Sequence, residues 1–159
     1  MYKLKLTKLQ EEIMRLMFIN AGRTLNARGI SLKLGVSQPA VSKALPFLAK
    51  EGLVRVEKDW AAKRRAIGRN IGNDEVVWRK RVDNLKQVYE SGLVRFLYDT
   101  FPGATIILFG SYSFGDDTAE SDIDLAVIGA REKSLDLAKY EKLLGRPIVL
   151  NYYEHLSKV

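Results

Sequence analysis

Two aspartates separated by one apolar residue, Asp122-Ile123-Asp124, lie in the second half of the chain. On an extended strand alternate residues point to the same face, so this spacing aims both carboxylates together while Ile123 enters the core. Two such carboxylates can hold Mg²⁺ or Mn²⁺ together with the phosphates of a nucleoside triphosphate. Asp122 and Asp124 are therefore candidate metal ligands and catalytic residues.

A Gly-Ser pair precedes these aspartates at residues 110–111, directly after the apolar run 104–109. An apolar run of this length is typical of a strand that is buried on both faces. Gly110 allows the backbone to approach a phosphate group closely, because it has no side chain. Ser111 can donate a hydrogen bond to a phosphate oxygen. We therefore predict that Gly110 and Ser111 bind a nucleotide.

The segment TIILFGSYSFGDDTAESDIDLAVIG, residues 105–129, resembles the nucleotidyltransferase superfamily that includes polymerase beta. It is most similar to the minimal, stand-alone members of that superfamily, and the resemblance extends over roughly residues 91–151. It implies a mixed β-sheet packed with helices. It also implies a divalent metal, Mg²⁺ or Mn²⁺, and the transfer of a nucleoside monophosphate from a nucleoside triphosphate.

Active members of this superfamily generally carry a third carboxylate on a later strand, which helps to bind metal and can act as a base. In minimal members it lies in the strand that follows Leu-Gly-Arg. In this chain Pro-Ile-Val-Leu-Asn follows Leu144-Gly145-Arg146, so the expected position falls at Val149, or at Asn151 if the register shifts by two. Neither residue is a carboxylate. The sequence therefore predicts a metal–nucleotide site with weak or no transfer activity.

The N-terminal part of the chain is strongly basic, with 15 Lys and Arg against 5 Asp and Glu in residues 1–69. Residues 101–159 carry 6 Lys and Arg against 9 Asp and Glu, within a net charge of +7 for the whole chain. Such asymmetry suggests a basic module beside an acidic one. A basic module often binds nucleic acid, although a solvated basic surface would give the same count.

The basic module contains a predicted helix, a short helix capped by Asn26, a glycine turn, a helix capped by Ser37 and a hairpin. This order, and the segment VSQPAVSKALPFLAKEGLVRVEKD at residues 36–59, resemble the winged helix-turn-helix family of transcription regulators. The resemblance implies that the Ser37-capped helix enters the major groove of double-stranded DNA. The outward candidates on it are Ser37, Gln38, Ser42 and Lys43. The hairpin tip is predicted to contact phosphate or the minor groove through Lys63, Arg64 and Arg65. A module that serves only protein contacts is the alternative.

The predicted fold class is α+β, with a winged helix-turn-helix domain at residues 1–72 and a nucleotidyltransferase-like domain at residues 73–159. The second domain begins with a long helical segment, residues 75–100, whose apolar residues Val82, Leu85 and Tyr89 recur at helical spacing. The Ser91-Gly92 pair is expected to kink or split that segment. Because winged helices usually bind as dimers, we expect a homodimer with an interface on this segment.

The chain contains no cysteine, no signal-peptide pattern and no apolar run near the ~18 residues that a membrane span needs. We therefore expect a cytoplasmic protein without a membrane partner. The favoured function is a DNA-binding regulator with a nucleotide-binding domain. The alternative is an active transferase that modifies a small molecule, a nucleic acid or a protein hydroxyl. The resemblance to minimal members also implies a third reading, an antitoxin that acts on a partner protein.

Overall fold

The computed structural model describes residues 5–59 and 64–156, with only the backbone of Asp59 and Arg64. The chain forms two compact units, Met1–Val76 and Val77–Val159. The predicted domain boundary, between residues 72 and 73, lies four residues before this division. The division falls near the start of a helix, because the first residues of that helix contribute Val76 to the core of the first unit.

The first unit contains three helices and a two-stranded antiparallel hairpin. They are α1 (Lys8–Ile19), α2 (Ala27–Leu34), α3 (Gln38–Lys50), β1 (Val54–Asp59) and β2 (Arg64–Arg69). Residue Leu25 adds a single bridge to Ile67 of β2, with backbone hydrogen bonds of 2.8 and 2.7 Å. This order of three helices and a hairpin is the predicted winged helix-turn-helix fold.

Two helices of the first unit begin at the residues that the sequence indicates. The Asn26 side chain accepts a hydrogen bond of 2.7 Å from the backbone N–H of Gly29, and Ser37 accepts one of 3.3 Å from Ala40. Each bond satisfies an N–H group that the first turn of a helix leaves without a partner. The predicted caps of α2 and α3 are therefore confirmed, and Gly35 between them ends α2 in a left-handed conformation.

The hairpin corrects one prediction about the basic residues. The sequence predicts that Arg64 and Arg65 lie with Lys63 at the tip of the hairpin. Strand β2 instead begins at Arg64, and Arg64 and Arg65 pair with Asp59 and Lys58 of β1. The pairing of β1 with β2 therefore includes Arg64 and Arg65, two of the three basic residues at positions 63–65. Lys63, the remaining candidate at the tip, lies outside the described residues.

The second unit contains four helices and a mixed three-stranded sheet. They are α4 (Asp74–Glu90), α5 (Leu93–Thr100), β3 (Thr105–Phe109), α6 (Gly110–Phe114), β4 (Ile123–Ile128), α7 (Ala138–Leu144) and β5 (Ile148–Tyr153). The sheet order is β3-β4-β5, with β4 antiparallel to β3 and parallel to β5. The α+β class with a small mixed sheet is confirmed. The central strand β4 is nearly all buried, as its apolar sequence requires.

The long helical segment 75–100 is split into α4 and α5 at the Ser91-Gly92 pair. In its first half Val82, Leu85 and Tyr89 are 68%, 46% and 61% exposed. The buried residues of α4 are Val76, Lys80, Asn84 and Val88. Lys80 and Asn84 belong to a buried charge network, which is described below.

Helix α7 begins at Ala138 rather than at the predicted residue 134, and Leu143, expected to face inward, is 62% exposed. Helices α5 and α7 and the sheet share a core that includes Leu93, Leu97 and Ile123. Within residues 5–59 and 64–156, no helix has both the length and the apolar character to cross a bilayer.

Candidate functional site

The Gly-Ser pair and Asp124 are brought together by the antiparallel pairing of β3 and β4. Phe109, the last residue of β3, lies opposite Asp124, and α6 begins at the next residue, Gly110. Gly110 has φ of 71°, and a Cβ atom added there would lie 2.5 Å from Oδ2 of Asp124. Any larger residue at this position would collide with the carboxylate, so Gly110 and Asp124 form one local site.

The other two predicted members of the site flank this contact. Ser111 lies in the first turn of α6 and is half-buried, whereas Asp122 immediately precedes β4 and is exposed. Ile123 between the two aspartates is fully buried. Since alternate residues of an extended chain face opposite sides, the burial of Ile123 directs Asp122 and Asp124 to the other face.

Val149, one of the two positions at which a third carboxylate is expected, lies beside Asp124. In the parallel pairing of β4 and β5, Asp124 lies opposite Val149, and Asn151 lies opposite Ala126. The register therefore selects Val149 from the two positions that the sequence left open. Glu154 follows the end of β5, about 16 Å along the chain from Val149 at ~3.3 Å per residue. It is too far along the strand to replace the missing carboxylate.

The donor set fits a cation that shares its ligands with a phosphate chain. Mg²⁺ is usually bound through one or two protein carboxylates plus substrate phosphates and water, so Asp122 and Asp124 are a sufficient protein contribution. In the part of the chain that the structure describes, no group of three or more Asp, Glu, His or Cys side chains is placed to hold a metal by itself. The site is therefore suited to a metal that arrives with its nucleotide.

A buried polar network on α4 supports the segment that carries this site. Both oxygen atoms of the Asp117 carboxylate have partners. Oδ1 contacts Nζ of Lys80 and accepts a 2.8 Å hydrogen bond from the Asn84 side chain. Oδ2 lies 3.3 Å from Nη2 of Arg146. The side chains of Lys80 and Asp117 are completely buried. Two cations thus share one carboxylate in an environment where an unpaired charge is costly.

The same network fixes the short helix α6. Asn84 also donates a 2.8 Å hydrogen bond to the backbone oxygen of Tyr112, which lies between Ser111 and Asp117 in the chain. The connection from the Gly-Ser pair to Asp122 is therefore held to α4 at two points, Tyr112 and Asp117. Arg146, two residues before β5, ties the same connection to the start of that strand. The geometry of the site thus depends on α4 as well as on the sheet.

Sequence reasoning missed Lys80, Asn84 and Asp117 as contributors to the site. A signal was available, because Lys80 and Asn84 are four residues apart and so lie on one helical face, opposite the apolar stripe of α4. Helical periodicity alone assigns no role to the polar face opposite that stripe. Only the position of Asp117 in three dimensions reveals the alternative.

Three of the seven predicted DNA-binding residues, Gln38, Ser42 and Arg65, line one groove of the first unit. It has a volume of about 540 Å³ and is lined by Asn26, Ala27, Arg28, Gln38, Ser42 and Arg65. Gln38 and Ser42 come from α3, and Arg65 comes from β2. Arg28, near the start of α2, adds a cation that the sequence analysis did not select. Three elements therefore direct polar and cationic groups into one concave surface.

The remaining candidates of the first unit are distributed as follows. Ser37 and Lys43 are exposed on α3, and the Ser37 side chain also serves as the helix cap. The apolar face of α3 is buried and consists of Val41, Ala44, Leu45 and Leu48. Arg64 lies in β2 with its backbone alone described, and Lys63 is outside the described residues.

Comparison with solved structures finds remote likenesses to two bacterial proteins. A cysteine-to-serine variant of ZitR from Lactococcus lactis has a TM-score of 0.45 and 19% identity, covering 65% of this chain and 67% of that one. The adhesin competence repressor AdcR from Streptococcus pyogenes has a TM-score of 0.42 and 22% identity, covering 61% and 69%. Likenesses at this level do not identify a shared function.

No curated protein matches the chain. Residues 91–155 match the family model described as a nucleotidyltransferase domain. The matched range contains β3, α6, β4 and β5, and therefore the whole Gly110–Asp124 site and the strand that bears Val149. The likeness to a nucleotidyltransferase domain therefore lies within the second unit of the chain, at residues 91–155.

Proposed function

We propose that this protein is a DNA-binding transcriptional regulator whose nucleotidyltransferase domain binds a metal–nucleoside triphosphate complex and transfers little or no nucleotide. Asp122 and Asp124 would hold Mg²⁺ or Mn²⁺, and Gly110 and Ser111 would contact the phosphates. When bound, the metal would neutralise phosphate charge. The observation that carries the proposal is the pairing of Val149 with Asp124.

The proposed loss of transfer follows from what Val149 cannot do. A valine neither accepts the proton of an attacking hydroxyl group nor ligates a metal ion, and general-base catalysis contributes typically ~10²–10⁴-fold to a rate. Binding of the metal–nucleotide complex requires fewer groups than transfer does, because two carboxylates and a backbone that contacts phosphate are enough. The chain therefore retains the parts of the site that hold a nucleotide and lacks a part that would activate an acceptor.

The direct test combines binding and transfer in one sample. The protein is incubated with labelled ATP and Mg²⁺ or Mn²⁺, with and without DNA, protein and small-molecule acceptors. We expect saturable ATP binding that Asp122→Ala/Asp124→Ala abolishes, and no transfer of label. Transfer of label by the unaltered chain would establish the active transferase instead. Absence of ATP binding would refute both functions of the site.

The intact Gly110-Ser111 pair and both aspartates favour the active transferase as the second candidate. Val149→Asp tests whether position 149 belongs to the metal site, because it places a third carboxylate beside Asp124. We expect the variant to bind Mn²⁺ more tightly than the unaltered chain, since affinity for hard cations rises with the number of charged ligands. Equal Mn²⁺ affinity would mean that position 149 does not belong to the metal site.

The proposed DNA contact rests on the groove formed by α2, α3 and β2. Its cations Arg28 and Arg65 would contact phosphates, and Gln38 would meet a base edge, since Gln pairs well with adenine. The test measures duplex binding at several salt concentrations, before and after removal of Lys63, Arg64 and Arg65. Each lost phosphate contact lowers the salt slope by ~0.9, so an unchanged slope would exclude the hairpin as a phosphate contact.

A further inference from the structure

The hairpin of the first unit borders a second cavity, which shares no lining residue with the groove of α2, α3 and β2. It has a volume of about 210 Å³, and three arginines line it, Arg23, Arg55 and Arg69. Glu57 is the one carboxylate among the lining residues, so the lining carries a net charge of +2. A concave surface with an excess of one charge raises the local concentration of counter-ions. This arginine cavity is therefore suited to an anion.

Two small residues of β2, Ala66 and Gly68, make room for the arginine cavity. They lie opposite Glu57 and Arg55 of β1 in the antiparallel register. On the other side of β2, a Cβ atom added to Gly68 would lie 3.4 Å from Cγ2 of Thr24. A larger side chain at position 68 would therefore fill space between the two flanking segments that Gly68 leaves empty.

Ala66 and Gly68 face away from the proposed DNA groove. Alternate residues of a strand point to opposite sides, and Ile67 between them is buried in the core. Arg65, which lines the DNA groove, is on the same side of β2 as Ile67. A duplex in that groove would therefore leave the Gly68 side of the strand uncovered.

The guanidinium group of Arg55 is already oriented by the chain. Its Nε donates a 2.7 Å hydrogen bond to Oδ1 of Asn70, and Nδ2 of Asn70 donates one of 2.8 Å to the backbone oxygen of Gly52. A guanidinium has five N–H donors, so Arg55 can keep this bond and still donate to a ligand. Arg23 and Arg69 also interact within the chain, and their donors can be shared in the same way. Arginine binds phosphate groups particularly well because two parallel N–H donors match two phosphate oxygens.

From the excess of cations, the space above Gly68 and the oriented guanidinium, we propose that the arginine cavity binds a small free anion that carries a diphosphate group. The cavity is smaller than the ~300–1,000 Å³ of pockets that enclose drug-sized ligands, so a compact anion fits it better than a whole nucleotide does. The guanidinium groups supply the positive charge, and no metal ion is required. The site is independent of the proposed function, because it needs neither Asp122 nor Asp124.

The first experiment titrates inorganic pyrophosphate into the full chain in the presence of EDTA, which prevents binding through a metal ion at Asp122 and Asp124. We expect saturable binding at one site per chain, unchanged in Asp122→Ala/Asp124→Ala. Arg55→Gln should weaken it about tenfold or more, because a hydrogen bond to a charged group is lost. Arg28→Gln is the charge-matched control, since Arg28 lines the DNA groove, and it should leave the affinity unchanged.

Gly68→Val tests the cavity without changing any charge. Its side chain should occupy the space beside Thr24 and weaken pyrophosphate binding about tenfold or more, as loss of a charge-assisted contact would. Circular dichroism and the unfolding midpoint show whether each variant is folded, and Arg55→Gln decides the question if Gly68→Val is not. Absence of saturable binding, or equal affinity in the unaltered chain, Gly68→Val and Arg55→Gln, would overturn the site.

A final measurement distinguishes a free anion from the phosphates of DNA. Duplex affinity is measured for Gly68→Val and for the unaltered chain at the same salt concentration. We expect equal duplex affinities, because Gly68 faces away from the DNA groove. A loss of duplex affinity as large as the loss of pyrophosphate affinity would assign the arginine cavity to the DNA backbone and overturn the proposal of a free ligand.

Discussion

Helices α3 and α4 arrange their side chains in opposite ways. In α3 the apolar residues Val41 and Leu48 are buried, while the polar residues Gln38 and Ser42 face outward. In α4 the outward face is apolar, and the inward face carries a lysine and an asparagine. The two helices have similar lengths, 13 and 17 residues, so the difference comes from what each face contacts rather than from helix size.

The polar or apolar character of the outer face of each helix indicates which kind of partner that face would bind. The character of the inner face indicates which part of the chain the helix holds in place. The outer face of α3 is polar and borders a groove with Arg28 and Arg65, as a surface for a charged polymer requires. The outer face of α4 suits a protein surface. Its inner face is polar because it holds the charged segment before Asp122. Each feature yields a measurement that distinguishes the two helices.

The largest expected effect comes from the inner face of α4. Asp117→Asn removes the carboxylate shared by Lys80 and Arg146, and loss of one partner in a buried ion pair costs about 3–5 kcal/mol. Urea unfolding measures the change in the free energy of unfolding. Asp116→Asn is the control, since Asp116 is exposed, and it should change stability by less than about 0.5 kcal/mol. Equal effects of the two variants would contradict the role of the network.

The apolar faces of the two helices provide the second comparison. Leu48→Ala should destabilise the protein by about 2–5 kcal/mol, because Leu48 is fully buried in α3. Val82→Ala in α4 should cost less than about 0.5 kcal/mol when the protein is dilute and monomeric, because Val82 is exposed. A large loss at Val82 under those conditions would mean that the apolar face of α4 is covered within the chain.

A smaller effect is expected at Gly110, which contacts Asp124. Gly110→Ala should lose about 1–2 kcal/mol of stability from its left-handed backbone, and it should also lose ATP affinity because its Cβ displaces the Asp124 carboxylate. Gly129→Ala is a matched control, since Gly129 has φ of 82° and no neighbouring atom within 4 Å of the added Cβ. It should have a similar cost in stability and an unchanged ATP affinity. Loss of ATP binding in both variants would contradict a specific role of Gly110 in the nucleotide site.

The smallest expected effect concerns the outer face of α3. Lys43→Ala removes one exposed cation from that helix and should reduce the salt slope of duplex binding by about 1. Lys33→Ala removes an exposed cation from the last turn of α2, whereas Lys43 adjoins the groove residue Ser42 in the chain, so this control should leave the slope unchanged. The result would contradict the proposed DNA surface if both variants had the same slope.

The sequence predicted the parts of the fold that local chemistry determines. Asn26 and Ser37 begin helices because their side chains satisfy free N–H groups, and the apolar segment 105–109 forms a strand beside β4. Its predicted burial on both faces is wrong, because β3 is an edge strand whose residues are exposed or half-buried. The proximity of Gly110 and Asp124 was predictable because the family pattern places Gly110 directly after one strand and Asp124 on the next. The match of residues 91–155 to the nucleotidyltransferase domain agrees with that assignment.

Features that depend on contacts distant in sequence were not predictable. The inward face of α4 is decided by Asp117, which is 37 residues from Lys80 in the chain. The register of β5 also had two alternatives, and only its pairing with β4 places Val149 rather than Asn151 beside Asp124. Helix periodicity alone gives the two faces of α4 but does not say which one is buried.

The most direct test of the proposed nucleotide site is a calorimetric titration of Mg²⁺–ATP into the purified chain, compared with Asp124→Asn and Asp116→Asn. We expect saturable binding to the unaltered chain and to Asp116→Asn. Asp124→Asn should bind at least about tenfold more weakly, a difference of ~1.4 kcal/mol. Equal affinities for all three proteins, or no heat of binding to the unaltered chain, would contradict a metal–nucleotide site at Gly110–Asp124.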